Sequence, residues 1–386
     1  RLIPIQKRVS FPLRNVDEKL LQYTKPTDFI DVTPEIEQKA RSVIGGENDF
    51  YVVVFNVAEW TKKNVEYNLS TLTAEVVQKS SWVLRNKKGV CDELTNLFIS
   101  MLRSVGVPAR FVSGMVYSNI DYKWGAHGWA EVYFPEVGWI PFDVTFGQYG
   151  WIDPSHIKLK ESLDSGSPSA EYTWRADGVQ VKMKELVVDA KLQGAQGKND
   201  PPVKISLQPA HAEAQFGSYV PLIVTIENLE NSYVSTSVTV RKAPGLTEKN
   251  VKEVLLKPKE TKNVVWILEI PNGESNYLYT ATLEAQTSFG NNAASKIHYG
   301  DEFKFYTREA AEQYLARSMQ WEEKKRLEGV TMNCSLDQEI YYANDTATIL
   351  CKLINARENS ISIDVCVQES CQQTAIGVNQ DVTLSF

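Results

Sequence analysis

The feature that most constrains this chain is a change of hydrophobic period at Gly106-Val107-Pro108. Before it, Leu94, Leu97, Phe98, Met101, Leu102 and Val105 recur at three- and four-residue steps, the spacing of one buried helix face. After it, apolar and polar residues alternate. Arg110 to Tyr117, Gly128 to Phe134 and Gly138 to Thr145 read as strands, with Pro135-Glu136-Val137 as the turn between the last two. Helices first and strands afterwards, without βαβ alternation, predict an α+β domain with an antiparallel sheet.

Upstream, residues 1–30 read as an arm packed on this domain. Thr33 caps a helix with Pro34 in its first turn, and Gly45-Gly46 ends it. Tyr51 to Val65 reads as a second helix, with Val54, Val57 and Trp60 as core positions, and Thr73 to Leu84 as a short third. Residues 171–192 add strand-like alternation at Val179, Val181 and Met183.

Cys91 falls at the start of the most strongly periodic helix, in Lys87-Lys88-Gly89-Val90-Cys91-Asp92-Glu93. Unpaired N–H groups and the helix dipole there favour thiolate over thiol. Asp92 and Glu93 oppose that effect. A small core residue at a helix start is the competing reading.

The other four cysteines, Cys334, Cys351, Cys366 and Cys371, lie in the last 53 residues. Their spacings of 17, 15 and 5 contain no C-x-x-C pair, and no histidine lies nearby, so disulfides are favoured over metal. Asn-x-Ser/Thr sites at Asn68, Asn333 and Asn344 accord with an extracytoplasmic protein, secreted or on the cell surface. The net charge of −7, with only short clusters such as Lys324-Lys325-Arg326, argues against a nucleic-acid surface. No apolar run approaches the roughly 18–20 residues a membrane span needs, so any anchor would lie outside this stretch. With Arg1 first, the expectation is a removed leader or a start inside a longer gene.

The 386 residues suggest two or three domains. Residues 1–198 form the arm and α+β core, and Gly194 to Pro202 reads as a linker. Residues 203–300 carry only strand signals, with turns about every ten residues, and predict an all-β, immunoglobulin-like sandwich. Residues 307–328 form a charged helical connector, and 329–386 a second sandwich that is incomplete. Val330, Met332 and Cys334 match Val203, Ile205 and Leu207 at an offset of 127, and Ile349, Cys351 and Leu353 match Leu222, Val224 and Ile226. That offset puts Cys334 and Cys351 on neighbouring strands and favours their pairing, leaving Cys366 and Cys371 to close a short loop. Asp381 to Phe386 resembles the strand at Asn263 to Leu268, and the counterpart of 269–300 is absent, so the expectation is a truncated last domain or one completed in some other way.

A nucleophilic cysteine needs a base and a group to orient that base. Of the four histidines, His211 and His298 fall in the sandwich, leaving His127 and His156. A three-residue loop at Pro135 to Val137 sets Trp129 opposite Asp143 and His127 opposite Thr145, making His127 and Asp143 diagonal neighbours on one face. An even loop would put them on opposite faces. His156 follows Asp153-Pro154-Ser155, a turn and helix-start signal, so a structural or supporting role is favoured. Trp129 and Trp139 read as core, and Trp124, Tyr149 and Trp151 as candidate substrate-cleft residues.

Gly89-x-Cys91, Leu97-Phe98 and Leu102-Arg103 with Gly106-Val107-Pro108-Ala109-Arg110 resemble the transglutaminase core motif. His127-x-Trp129-x-Glu131-Val132 and Trp139-x-Pro141-x-Asp143-x-Thr145 are similar to that family's second and third blocks, in order. Val144 stands where the family often has proline. The resemblance covers roughly residues 35–160. It implies a papain-like Cys-His-Asp triad of Cys91, His127 and Asp143, passing through a thioester. With sandwich domains behind the core, the pattern is similar to archaeal surface-associated transglutaminase-like proteins.

The expected activity is cysteine-dependent acyl transfer on a protein or peptide substrate. An amine resolves the thioester in a transglutaminase, and water in a peptidase or amidase. The Cys91 amide would supply part of an oxyanion hole, with Trp60 and Trp82 as candidates for the second donor. No EF-hand spacing occurs, and neither metal nor cofactor is expected. A catalytically silent binding or scaffolding module on a cell surface is the alternative.

Overall fold

A computed structural model describes residues 4–14, 16–71, 77–118, 122–167, 175, 177–179, 200–324, 330–337, 348–355, 359–367 and 370–385. The chain divides into two compact units, Arg1–Arg308 and Glu309–Phe386.

The first unit opens with helices α1 (Pro34–Ile44) and α2 (Phe50–Asn64). Thr33 Oγ1 caps α1 by accepting the Ile36 N–H, and Asp49 Oδ1 caps α2 by accepting that of Tyr51 at 3.2 Å. The β-branched run in α2 lowers its intrinsic helix propensity, but Val53, Val54 and Val57 are fully buried, and that packing decides the conformation. A short strand β1 (Glu66–Tyr67) follows. The next helix, α3, spans Ser80–Asn86, later than the Thr73 start expected from the sequence, and residues 77–79 lie outside it. Strand β2 (Lys88–Gly89) pairs with β1 in parallel, and α4 (Cys91–Ser104) follows at once.

Helix α4 is the axis of the core. Leu97, Phe98, Ile99, Met101 and Leu102 are all fully buried, and so are Thr95, Asn96 and Ser100. It packs on an antiparallel sheet of strands β3 (Ala109–Ser118), β4 (Lys123–Phe134), β5 (Gly138–Asp143), β6 (Gln148–Tyr149) and β7 (His156–Ser162), in the order β6-β5-β4-β3-β7. The helices cover the face of β4 carrying Ala130, Val132 and Phe134. By the period-2 alternation of a strand, His127, Trp129 and Glu131 belong to the other face. The strand-like residues 171–192 lie almost wholly outside the described residues.

Strands β8 (Val203–Pro209), β9 (Glu213–Ala214), β10 (Tyr219–Asn228), β11 (Val234–Lys242), β12 (Val251–Leu256), β13 (Thr261–Glu269), β14 (Tyr279–Thr287) and β15 (Asn292–Tyr299) make two sheets, β13-β10-β8 and β12-β11-β14-β15-β9. Leu222, Val224, Ile226 and Trp266 of one share a buried cluster with Val238, Val240, Leu283 and Ile297 of the other. This two-layer body is built onto the α+β core. Tyr233 and Leu255 belong to the core's own hydrophobic cluster, and Lys62 Nζ of α2 meets Glu253 Oε1 of β12 at 3.0 Å.

The second unit holds most of α5 (Arg308–Lys324) and the strands β16 (Val330–Leu336), β17 (Ile349–Asn355), β18 (Ile361–Val367), β19 (Ser370–Ile376) and β20 (Asp381–Ser385). The sheet β16-β17-β20 repeats the order of β8-β10-β13. Its register repeats as well: Cys334 faces Cys351 as Leu207 faces Val224, and the two cysteines are joined by a disulfide. Directly opposed and bonded, the two share one face of the sheet; Cys351 on the central strand is buried there, while Cys334 on the edge strand β16 is exposed. Cys366 and Cys371 stand opposite each other across β18 and β19, and the expected bond between them lies outside the described side chains.

Candidate active site

Cys91 is the first residue of α4 and keeps partial solvent access. Gly89, two residues earlier, leaves room that a side chain would fill: a Cβ there would meet Glu93 Cβ at 2.6 Å. Glu93 can therefore fold back on the turn. Its Oε2 accepts the Val90 N–H at 3.0 Å and its Oε1 the Gln78 N–H at 3.1 Å, so this buried carboxylate is spent on the loop.

Asp92 is different. Cys91 Sγ donates to Asp92 Oδ1 at 3.7 Å, and burial together with the Glu93 charge raises the Asp92 carboxyl above its ordinary range. The Cys91 thiol is itself pushed well above the ordinary value. Burial is the largest cause and the Asp92 charge the next, while the Gly128 and Asp92 N–H groups on the sulfur pull the other way. The helix start alone favours thiolate, but in this setting desolvation and Asp92 outweigh it.

Strand β4 carries the partners. Phe134 pairs with Gly138 and Ala130 with Phe142, so Pro135 to Val137 form the odd, three-residue loop. His127 Nε2 lies 2.7 Å from Asp143 Oδ2, and both side chains are almost fully buried. Asp143 Oδ1 accepts the Thr145 and Phe146 N–H groups at 2.8 and 3.0 Å. Burial pushes this carboxyl up, but the His127 hydrogen bond and charge, the His156 hydrogen bond and the Phe146 N–H hold it far below the usual range. Val144 is fully buried in the helical core, so the residue between Asp143 and Thr145 serves packing.

Gly128, beside His127, brings strand and helix together. Its carbonyl accepts Thr95 Oγ1 of α4 at 3.2 Å, and its N–H reaches the sulfur. A Cβ at this position would lie 2.4 Å from Phe111 Cζ and 2.6 Å from Asp92 Oδ1. Only glycine lets α4 approach this closely.

His156 occupies more of the site than its sequence context suggested. It begins β7, paired with Val116, where a helix start was one expectation. His156 Nε2 lies 3.0 Å from the Asp143 Oδ2 that also meets His127, and Nδ1 lies 3.1 Å from Asp153 Oδ1. Burial pulls its pKa down, but the hydrogen bonds and charges of Asp143 and Asp153 prevail and push it up to about 9. His127, Asp143 and His156 bring three potential ligand atoms within 4.8 Å of one another, the one such group among the described residues. Their contacts are hydrogen bonds at 2.7 and 3.0 Å, which join the three residues in one proton network.

The proposed cleft residues are placed elsewhere. Tyr149 is fully buried, edge-on to Phe55, with its hydroxyl 3.3 Å from Glu59 Oε2. Trp151 packs on Phe289 and donates from Nε1 to the Ser235 carbonyl at 3.0 Å, beneath the β-sandwich. Neither presents an open surface. Trp124 is half-buried against Tyr117, three residues from His127 on an unbroken strand and so on its other face. Trp60 lies under Lys87 and Lys39, at 4.3 and 5.6 Å from its ring centre, and Trp82 packs on the helical core.

Two residues near the site escaped the sequence reading. Phe146 is about half exposed and lies 5.1 Å from the His127 ring. Tyr67, also half exposed, pairs with Gly89 beside Cys91. Its hydroxyl is pushed up to about 12 by burial and then by the charges of Cys91, Asp92, Asp143 and Glu93. Neither lies in a motif block, and only the β1–β2 pairing brings Tyr67 to the helix start.

Residues 37–144 match the family model described as the transglutaminase-like superfamily. YebA, an uncharacterized protein of Bacillus subtilis (strain 168), is 35% identical over 100 residues, 22% of this chain and 13% of that protein. ML0607, an uncharacterized protein of Mycobacterium leprae (strain TN), is 24% identical over 164 residues, 41% of this chain and 54% of that one. The chain thus spans 13% and 54% of these relatives' lengths. Among solved structures, a candidate cysteine protease from Cytophaga hutchinsonii is 21% identical with a TM-score of 0.34, covering 42% of this chain and 52% of that one. The periplasmic domain of TgpA from Pseudomonas aeruginosa is 20% identical with a TM-score of 0.27, covering 34% and 48%.

Proposed function

We propose that the transglutaminase-like core at residues 37–144 makes this protein a cysteine-dependent acyltransferase acting on protein or peptide amides. The observation that carries this reading is the buried 2.7 Å contact between His127 Nε2 and Asp143 Oδ2, one residue from the Gly128 N–H on the Cys91 sulfur. Asp143 occupies Nε2, which leaves Nδ1 of His127 as the atom to take the thiol proton. The sulfur then attacks the amide carbonyl, the C–N bond breaks, and His127 returns the proton to the departing amine or ammonia. The thioester is resolved by water in a peptidase or amidase, or by an amine in a transglutaminase. The Cys91 N–H at the helix start and the Tyr67 hydroxyl are the proposed donors to the oxyanion.

The cross-strand disulfide supports an extracytoplasmic location, and the two-layer body at residues 203–300 fits an immunoglobulin-like spacer or adhesion domain. The raised Cys91 thiol favours a second reading, a catalytically silent surface module in which the site is kept as structure. A glutamine peptide and a labelled amine, incubated with the protein and read by mass, separate the possibilities. Incorporated amine means transfer, and a hydrolysed carboxamide or cleaved peptide means hydrolysis. Neither product, together with equal iodoacetamide labelling of wild type and His127→Ala, would leave the silent module.

A further inference from the structure

We propose that His156 is a positively charged positioning residue that holds the Asp143 carboxylate in place for His127. This rests on the reading of Cys91, His127 and Asp143 given above.

Both ring nitrogens of His156 face carboxylates: Nε2 lies 3.0 Å from Asp143 Oδ2 and Nδ1 lies 3.1 Å from Asp153 Oδ1. An ionised carboxylate only accepts, so a ring bonded to two of them carries a proton on each nitrogen. The side chains of His156 and Asp143 are fully buried, and a neutral ring would set an imidazole lone pair against a carboxylate lone pair, either that of Asp143 or that of the partly exposed Asp153. Asp153 is fixed in turn, since it accepts from Gln148 Nε2 at 2.7 Å and from the Ser155 N–H at 2.8 Å. Asp143 accepts the Thr145 and Phe146 N–H groups on Oδ1 and both histidines on Oδ2, which fills its acceptor positions. A carboxylate held in this way cannot rotate away from His127.

The charges fit this division of roles. Asp143 and Asp153 are the carboxylates on His156, and the His127 ring centre lies 5.7 Å away. From β3 the paired residue is the apolar Val116, while Trp129 and Phe146 turn edges to the ring at 5.4 and 5.9 Å. Beyond Asp143, the Cys91 and Tyr67 groups feel its field. Two carboxylates and one imidazolium leave a net negative charge, which the imidazolium formed on His127 during proton transfer neutralises. The raised pKa of His156, about 9, keeps this arrangement intact through neutral pH.

The test uses the full chain, nitrogen-15 NMR of the histidine rings, and iodoacetamide labelling of Cys91. His156 is expected to keep two ring protons at pH 7 and to titrate near 9, and Asp153→Asn to lower that midpoint by about one unit or more. Labelling at pH 7 is expected to fall in the order wild type, His156→Gln, His156→Phe, because glutamine can still donate one hydrogen bond to Asp143 and phenylalanine none. His127→Ala marks the floor. His156 titrating below neutrality, or a folded His156→Phe protein labelling at the wild-type rate, overturns the proposal. If the His156 variants do not fold, the wild-type and Asp153→Asn titrations decide it alone. A His127→Ala protein that labels as fast as wild type defeats the underlying triad instead, whatever His156 does.

Discussion

Tyr233 and Asp49 are 184 residues apart in the chain and 2.7 Å apart in the fold, hydroxyl to Oδ2. The same carboxylate caps α2 through Oδ1. A strand-flanking residue of the β-sandwich thus completes the cap of a helix in the α+β core. Ser235 Oγ and Tyr51 Oη add to the junction by donating to the Tyr149 carbonyl.

Tyr233→Phe is therefore expected to destabilise the first unit by about 1–3 kcal/mol, the cost of leaving a buried polar group short of its partner. The nearest remaining cations, Lys257 and Arg8, stand 3.7 and 3.9 Å from Asp49 Oδ2 and replace the hydroxyl poorly. Urea unfolding of the two proteins measures the difference. Curves that superimpose would mean that the sandwich contributes nothing to the stability of the core at this point.

The proton network makes a separate prediction about pH. The folded-state pKa of His156, about 9, lies above the ordinary 6.5, so its stabilisation is complete below 6.5 and is lost as pH rises through 9. At 1.36 kcal/mol per unit the full effect is roughly 3 kcal/mol. Asp143 and Asp153 are depressed, so their contribution is present above the ordinary carboxylate range and is lost on acidification. Stability of the first unit should peak in mildly acidic solution and decline between pH 6.5 and 9. Unfolding at pH 6 and pH 9.5 should differ in the wild type and much less in His156→Gln. A flat wild-type profile over that interval would contradict the assignment.

How much of this was legible in the chain depended on whether local pattern or tertiary packing decided each position. The period change at Gly106 marked where helices give way to sheet, because period reports which face is buried. The three-residue loop before Gly138 set the side-chain parity that carries His127 and Asp143 to one face. The offset between the two strand-rich regions foretold that Cys334 would sit where Leu207 does. Tyr149 and Trp151 were misplaced because aromatic clustering near a motif is equally compatible with a cleft and a covered junction, and the sandwich that covers them begins some fifty residues later. His156 was underrated for a related reason. Asp153-Pro154-Ser155 specifies a turn, but nothing local says that the next residue, on β7, meets a carboxylate of β5, a strand separated from it in the sheet order by β3 and β4.

Asp92 should act as a brake on the nucleophile. Its charge is the second cause of the raised Cys91 thiol, after burial. Asp92→Asn removes that charge while keeping the side chain's size, and a change of about one pKa unit, typical for a neighbouring charge, would speed iodoacetamide labelling at pH 7 about tenfold. In both proteins the rate should climb with pH, since thiolate is the reactive form. An Asp92→Asn rate equal to or below that of wild type would show that the charge does not govern the sulfur.

Gly128→Ala tests the approach of helix to strand on which the site depends. The added Cβ would fall 2.4 Å from Phe111 Cζ and 2.6 Å from Asp92 Oδ1, so either β3 or the start of α4 must move. Overpacking of this kind costs about 1–3 kcal/mol. The backbone would shift as well, drawing the Gly128 N–H off the sulfur and its carbonyl from Thr95. With that N–H gone the thiol loses a group that favours its ionised form, so labelling of Cys91 should slow along with the loss of stability. Gly125→Ala on the same strand is the matched control, because a Cβ there meets nothing within 4 Å. The two alanine variants should therefore separate in both thermal melting and labelling rate. If they behave alike, the close contact at Gly128 is not what holds Cys91 beside β4.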